Sequence, residues 1–168
     1  TGITVAMDPA TGQALWSTTE YAVHSGCTIS GKDGRLYMGG YSPVHGKTNR
    51  VWCLDATDGS LIWQSEPVDR AIHVITIGDR FLFTHAQYEN GYLIDKKDGH
   101  IIRTLTNGYK CTRFTLSEPF LLGANMDIYD LSKVGDIKLL STGPAVDPSQ
   151  CLGATVSNGR LFYTGHGS

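Results

Sequence analysis

The sequence predicts an all-β protein built from repeated four-stranded antiparallel units. Three observations support this prediction. A short phrase recurs along the 168-residue chain, in which an apolar strand closes at Asp, a turn carries Gly, and a second strand follows. Apolar runs of strand length alternate with turns rich in Gly, Asn and Asp. No stretch shows the helical period together with capping residues.

The recurring phrase predicts the last two strands of each unit, C and D. The strand-closing Asp residues lie 35 to 47 residues apart, and a Gly follows four or five residues after each of them. Such a Gly supplies the positive φ that a tight hairpin turn needs. The four copies are Val5–Trp16, Val51–Trp63, Tyr92–Arg103 and Ile128–Leu139.

A second column predicts the first two strands, A and B. Each unit has a Thr, an aliphatic residue and then Ser or Gly, followed by a turn and an apolar run. The Thr residues of this column are Thr28, Thr76, Thr115 and Thr155. The chain therefore reads C-D, then A-B-C-D three times, then A-B. Four antiparallel strands in a unit of this length are typical of a β-propeller blade.

These strands predict one propeller segment with about four blades' worth of strands. The segment covers residues 1–168 and divides into 1–20 (strands C-D), 21–66, 67–107 and 108–143 (one blade each) and 144–168 (strands A-B). Because both terminal units are incomplete, we expect a piece of a larger propeller. Two alternatives are that the two ends close a small ring, and that the start reflects a removed signal peptide.

The composition limits the kinds of partner that we expect for this chain. The chain is 40% hydrophobic and 18% charged with a net charge of −2, so it lacks the basic footprint expected of a nucleic-acid-binding protein. No apolar run approaches the roughly 18 residues of a membrane span. Four Cys at irregular spacing, without a C-x-x-C pair, exclude a dense disulfide framework and a ribbon-type zinc site. We therefore expect no nucleic acid and no membrane span.

The phrase Asp8-Pro9-Ala10-Thr11-Gly12-Gln13-Ala14-Leu15-Trp16 resembles the tryptophan-docking motif Asp-x-x-Thr-Gly-x-x-x-Trp of pyrroloquinoline-quinone (PQQ)-like propeller repeats. Asp55–Trp63 matches the motif with Asp58 in place of Thr, and the later copies have Arg103 and Leu139 in place of Trp. The resemblance covers essentially the whole chain. It implies that the Trp of one blade packs against the turn of its neighbour. The residues to which it gives this structural docking role are Asp8, Gly12, Trp16, Asp55, Gly59 and Trp63.

Strand order predicts where reactive side chains gather. The D–A and B–C connections lie at one end of the blades, here called the wide-loop face, and the A–B and C–D turns lie at the other. Five of the six His fall on the wide-loop face, and His100 falls on the opposite end. Functional residues concentrate on loops held by a rigid scaffold, although longer and more polar loops would give the same count. No catalytic residue and no metal site is assigned. The predicted ligand-binding residues are His24, His73, His85, Arg113 and His166.

The cysteines divide into two pairs. Cys111 and Cys151 open equivalent inner strands of adjacent blades, four residues before their column Thr. A disulfide between them needs Cα atoms within about 7 Å, and the alternatives are a metal site with His24 or packed thiols. Cys27 and Cys53 fall in columns of core hydrophobes, where a free Cys behaves as a small buried side chain.

Three functions stay open, and whether the protein is an enzyme is not assigned. We favour a binding or scaffold propeller in a larger periplasmic or extracellular protein, without a cofactor. Its expected partners on the wide-loop face are other blades or domains, a protein or a carbohydrate. The first alternative is a PQQ-dependent oxidoreductase with PQQ and Ca²⁺ in the channel. The resemblance implies an adjacent Cys pair for such enzymes, and this chain has none. The second alternative is a polysaccharide lyase or hydrolase.

Overall fold

The computed structural model describes residues 2–23, 29–41, 48–69, 72–86, 89–106, 114–123, 127–141 and 154–163. Within these residues, 17 strands form five antiparallel sheets, and helix is limited to one 3-10 turn at Val134–Asp136. The all-β prediction is therefore confirmed.

The strands are grouped here by sheet in chain order. The first sheet has β1 (Thr4–Met7) and β2 (Ala14–Thr18). The second has β3 (Ala22–Val23), β4 (Ile29–Lys32), β5 (Arg35–Tyr41), β6 (Asn49–Asp55) and β7 (Leu61–Gln64). The third has β8 (Ile72–Ile77), β9 (Phe81–Ala86), β10 (Gly91–Asp95) and β11 (Ile101–Leu105). The fourth has β12 (Thr115–Ser117), β13 (Phe120–Leu122), β14 (Ile128–Asp130) and β15 (Lys138–Ser141). The fifth has β16 (Ala154–Ser157) and β17 (Arg160–Tyr163).

Each complete sheet is a meander whose strands pair in chain order, as the blade pattern predicts. Two details differ from the sequence prediction. Strand A of the second sheet is divided into β3 and β4, which both pair with β5. The D strands extend beyond the Trp at which the recurring phrase ends, since β2 continues to Thr18 and β7 to Gln64.

The core lies between neighbouring sheets. One buried cluster joins the second and third sheets and includes Tyr37, Cys53 and Ile94. Another joins the third and fourth sheets, where the rings of Phe83 and Phe114 lie 4.5 Å apart between centroids. Cys53 is fully buried in this cluster, so it is a packed core side chain, as predicted, and its burial raises the pKa of the thiol to about 11. Face-to-face packing of twisted sheets is the architecture of a propeller.

The inner strands of successive sheets are joined by hydrogen bonds. The hydroxyl of Ser30 in β4 donates to the Ile75 carbonyl at 3.1 Å, and the Thr76 hydroxyl accepts from the Leu116 amide at 3.3 Å. The Thr115 hydroxyl donates to the Ala154 carbonyl in the fifth sheet. Within the described residues, β1 pairs only with β2 and β17 only with β16. The sheets therefore form an open, partial propeller.

The A–B turns add charged contacts at the same boundaries. The Glu118 carboxylate accepts from the Arg80 amide at 2.7 Å, the Arg80 Nε at 3.0 Å and the Phe81 amide at 3.1 Å. A Cβ on Gly78 would lie 2.3 Å from Glu118 Oε1. The glycine is therefore what lets this carboxylate reach the neighbouring turn.

The C–D turns receive tryptophans from the preceding sheets. Trp16 Nε1 donates to the Ala56 carbonyl at 3.0 Å, and Trp63 Nε1 donates to the Lys96 carbonyl at 3.1 Å. The six-membered rings of these indoles lie against the turn glycines: an added Cβ would come within 2.7 Å of Trp16 Cε3 at Gly59 and within 2.4 Å of Trp63 Cε3 at Gly99.

The two tryptophans differ in burial. Trp63 is buried, as expected, whereas Trp16 is only half-buried. The difference follows from the two-stranded first sheet, which has fewer strands to cover the indole than the complete second sheet.

Substituting Gly99→Ala should destabilise the protein by about 2–4 kcal/mol. Gly99 has φ +82° and receives the Trp63 indole, so alanine meets both backbone strain and a clash. The matched control is Gly34→Ala, where φ is +71° and nothing lies within 4 Å of an added Cβ. We expect a loss of about 1 kcal/mol there. Urea unfolding measures both variants, and equal losses would show that the indole contact contributes nothing.

Candidate functional site

A polar cleft of about 480 Å³ lies at the boundary between the second and third sheets. One wall is the end of β7 and the start of the D–A connection, and the other is the C–D turn of the third sheet. Its lining residues are Arg50, Gln64, Ser65, Glu66, Pro67, Asp98, Gly99 and His100. We call this feature the polar cleft.

A Glu–His pair bridges the two walls of the polar cleft. Glu66 Oε1 lies 2.8 Å from His100 Nδ1, and Glu66 Oε2 accepts from the Ile101 amide at 3.1 Å. Partial burial alone would raise the pKa of the Glu66 carboxyl. Hydrogen bonds from its own amide, from His100 and from the Ile101 amide outweigh that effect and hold its pKa below the ordinary value. Both side chains stay about half-exposed or more, so the pair faces the cleft.

The floor of the polar cleft is rigid. Ser65 is buried, its amide donates to the Val51 carbonyl at 2.8 Å, and its hydroxyl accepts from the Val51 amide at 2.9 Å. The same hydroxyl donates to the Glu66 carbonyl at 2.7 Å, and the Arg50 guanidinium donates to the Ser65 carbonyl. On the opposite wall, the Asp98 carboxylate accepts from the His100 amide at 3.0 Å. The charged groups are therefore held at fixed positions around one concavity.

This arrangement is suited to binding a charged or polar chain. It combines two carboxylates, an imidazole and a guanidinium with exposed edges of a fixed backbone segment. The contacts that hold Glu66 also join two sheets, so its charge is positioned by the fold itself. A preorganised group binds with less loss of conformational entropy than a mobile one.

Most residues that the sequence analysis assigned to a site lie outside the described residues. They are His24, Arg113, His166, Cys111 and Cys151, and the proposed Cys111–Cys151 disulfide stays a prediction. His73 belongs to β8, but its side chain lies outside the described part of the chain. His85 is 1% exposed in β9, and its ring lies 5.4 Å from the Phe114 ring between centroids. His85 therefore packs in the core between the third and fourth sheets.

The predicted separation of the wide-loop face from the opposite turns holds within the third sheet but not at its boundary with the second sheet. In the third sheet, His85 pairs with Gly91 at one end of β10, and Asp95 at the other end leads into the turn before His100. At the sheet boundary, however, Glu66 in a D–A connection contacts His100 beside a C–D turn. Strand twist rotates the outer strand of one sheet toward the turn of the next, so a D–A connection and a C–D turn lie side by side at this boundary.

Sequence reasoning missed Glu66 and Arg50. The position three residues after the Trp column is Thr in the other three units (Thr19, Thr106 and Thr142), so Glu66 is the one departure from that column. The available signal was local: a charged residue and Pro67 directly after the D strand of the strongest copy. Its partner His100 lies 34 residues further along the chain.

Two further observations concern metals and membranes. Among the residues that the structure describes, no group of three His, Cys, Asp or Glu side chains is placed to hold a metal ion. In the same part of the chain, no helix has the length and apolar character needed to cross a membrane.

Comparisons with known proteins show which proteins this chain is similar to. A family model described as outer membrane protein assembly factor BamB matches residues 1–117. The solved structure of the computationally designed Ika4 protein superposes with a TM-score of 0.65 at 13% identity, over 92% of this chain and 93% of that chain. The designed Ika8 protein gives 0.66 at 12% identity, over 96% of this chain and 49% of that chain.

BamB from Moraxella catarrhalis gives a TM-score of 0.51 at 13% identity, over 98% of this chain and 64% of that chain. The chain thus spans about half the length of Ika8 and somewhat less than two thirds of this BamB. At such identities the superpositions show the fold alone. No curated protein sequence matches the chain.

The Glu66 carboxyl should make stability depend on pH. Its folded-state pKa lies below the ordinary value of 4.5, so its contribution is present above that value and is lost as pH falls through the folded-state pKa. The difference in unfolding free energy between the native chain and the Glu66→Gln variant should therefore shrink between about pH 5 and pH 3. The His100→Gln variant lacks one of the hydrogen bonds to Glu66, so its unfolding free energy should fall less than that of the native chain over the same pH range. Parallel pH profiles for the native chain and Glu66→Gln would contradict this assignment.

Proposed function

We propose that this chain is a scaffold module that binds a protein partner in the polar cleft. The chain belongs to the PQQ-like repeat superfamily of β-propellers, and this membership is the starting point for the proposed role. The matching family is described as an outer membrane protein assembly factor, and from this description we infer that the partner is a polypeptide. On the same basis we propose that it works in the periplasm or outside the cell, within a larger assembly.

The observation that carries this proposal is the Glu66–His100 bridge across a sheet boundary. It places a carboxylate whose pKa is lowered at the mouth of a concavity of about 480 Å³. Asp98 adds a second exposed carboxylate on the opposite wall. A ligand that presents Lys or Arg side chains would find acidic partners in the polar cleft.

The strand beside the polar cleft supports an extended polypeptide as the occupant. β7 is the outermost strand of the second sheet and pairs only with β6 among the described strands. An edge strand offers backbone amides and carbonyls to a further strand. In an extended segment that pairs with β7, the residue opposite Gln64 would direct its side chain toward the polar cleft. Such a partner would be recognised both by its backbone and by its charge.

A scaffold of this kind needs sheets that stay in register, and we infer that the tryptophan contacts provide this. The indoles of Trp16 and Trp63 lie against Gly59 and Gly99, and these contacts support the docking role that we propose for them. Trp63 also lies directly before the cleft-forming segment, so the contact that joins two sheets supports the floor of the proposed site.

Binding of short extended peptides tests this proposal. Fluorescence anisotropy should show that a labelled peptide with alternating Lys and Val binds the chain and that the same peptide with Glu in place of Lys does not. The Glu66→Gln and Asp98→Asn substitutions should each weaken binding about tenfold, as expected for loss of one charged hydrogen bond. The control is Glu20→Gln, which removes an exposed carboxyl outside the cleft. Equal binding of both peptides, or no effect of the cleft substitutions, would contradict the proposal.

A titration with PQQ and Ca²⁺ tests the oxidoreductase alternative. For a scaffold without a cofactor, we expect an unchanged quinone absorbance and an unchanged melting temperature. An upward shift of several degrees together with an absorbance change would overturn the proposal in favour of a quinoprotein. Cleavage of an acidic polysaccharide by the purified chain would overturn it in favour of the lyase or hydrolase.

A further inference from the structure

The bridge between Glu66 and His100 determines which ring nitrogen of His100 carries the proton. Glu66 Oε1 lies 2.8 Å from His100 Nδ1. Although partial burial raises the pKa of the Glu66 carboxyl, hydrogen bonds outweigh that effect and hold the pKa below the ordinary value of 4.5. At neutral pH the group is therefore a carboxylate that can only accept. The proton of a neutral His100 ring must then lie on Nδ1, and Nε2 is left with its lone pair.

The unprotonated nitrogen belongs to a ring that is open to a ligand. The His100 side chain lines the polar cleft and is 67% exposed. Its position is fixed twice, because Glu66 holds Nδ1 and the Asp98 carboxylate accepts from the His100 amide at 3.0 Å. The two nitrogens of an imidazole point in nearly opposite directions, so Nε2 points away from Glu66. A ligand in the polar cleft therefore meets a hydrogen-bond acceptor on this ring.

The charged groups that line the polar cleft around His100 come from three elements. Glu66 lies in the D–A connection after β7, Arg50 lies in β6, and Asp98 lies in the C–D turn that also carries His100. While His100 is neutral, these two carboxylates and one guanidinium give a net charge of −1. Protonation of His100 brings that net charge to zero and converts Nε2 from an acceptor into a donor.

Over the range in which histidine ordinarily titrates, about pH 5 to about pH 8, Glu66 keeps its charge. Its pKa lies below 4.5, so the carboxylate stays ionised. A Lys or Arg side chain of a ligand also stays charged in this range. A change in the charge of His100 therefore alters the polar cleft while its principal acid and the ligand remain the same.

We propose that His100 is the specificity-determining group of the polar cleft and that its protonation releases a cationic partner. This inference rests on the proposed function, in which a segment with Lys or Arg side chains binds in the cleft. Neutral His100 accepts a hydrogen bond from the ammonium or guanidinium group, whereas protonated His100 offers no acceptor and repels that group. The bridge to Glu66 persists in both states, because Nδ1 carries a proton in each of them.

Anisotropy of the labelled Lys-Val peptide at about pH 7.5 and about pH 5.5 tests this proposal. The Kd should rise about fivefold on acidification, the effect of one added unit charge at about 4 Å in water. His100→Asn places an amide nitrogen near the position of Nδ1 and removes Nε2, so its Kd should be the same at both pH values. Glu20→Gln, which changes an exposed carboxyl outside the cleft, should keep the native pH dependence. A native Kd that does not change, or a pH dependence that persists in His100→Asn, would overturn the proposal.

The same measurements separate this inference from the proposed function. No binding of the Lys-Val peptide at about pH 7.5 would contradict the proposed function, whereas equal binding at both pH values would overturn the role of His100 alone. Nitrogen NMR of the isotope-labelled chain tests that role without a partner. The imidazole signal that is missing from His100→Asn should show the proton on Nδ1 at neutral pH, and Glu66→Ala should lose this preference. A proton on Nε2 in the native chain would overturn the inference whatever the peptide does.

Discussion

The contact of Trp63 with the turn at Gly99 is the constraint on which the second and third sheets depend. The turn accepts the indole only because Gly99 has no Cβ and a left-handed backbone, and Asp95 fixes the turn by accepting from the Lys97 amide at 2.8 Å. The polar cleft is a consequence of the same contact. The chain leaving Trp63 forms one wall, and the residues after Gly99 form the other. The same contact between the second and third sheets therefore stabilises the fold and forms the polar cleft.

The next boundary is held differently, which shows that the tryptophan contact is one solution among several. Arg103 replaces Trp in the third sheet, and nothing lies within 4 Å of an added Cβ at Gly135. Here the Phe83–Phe114 contact and the Glu118 hydrogen bonds join the sheets instead. Burial of aromatic area and satisfaction of backbone amides can substitute for indole docking. The polar cleft lies at the boundary that Trp63 joins.

The strands were predictable because they are encoded locally, by turn glycines and by alternation of apolar residues near each closing Asp. The repeat extends that local code to four units, so the order in which the strands of each complete sheet pair follows from their position in the unit. The polar cleft was not predictable by the same means. Glu66 replaces the Thr that the other three units have at its position, so the repeat predicts no charge there, and its contact with His100 depends on strand twist between sheets. For His85, the sequence predicted a loop-end position, and the structure adds that the neighbouring sheet buries the side chain.

The chemistry of the polar cleft determines the kind of partner that it can take. Its charged groups remain hydrated without a ligand, which suits a partner that binds and leaves. Glu66 extends from the second sheet and His100 belongs to the third, so a partner in the cleft contacts both sheets at once. Its binding therefore depends on the same register that the contact of Trp63 with Gly99 maintains.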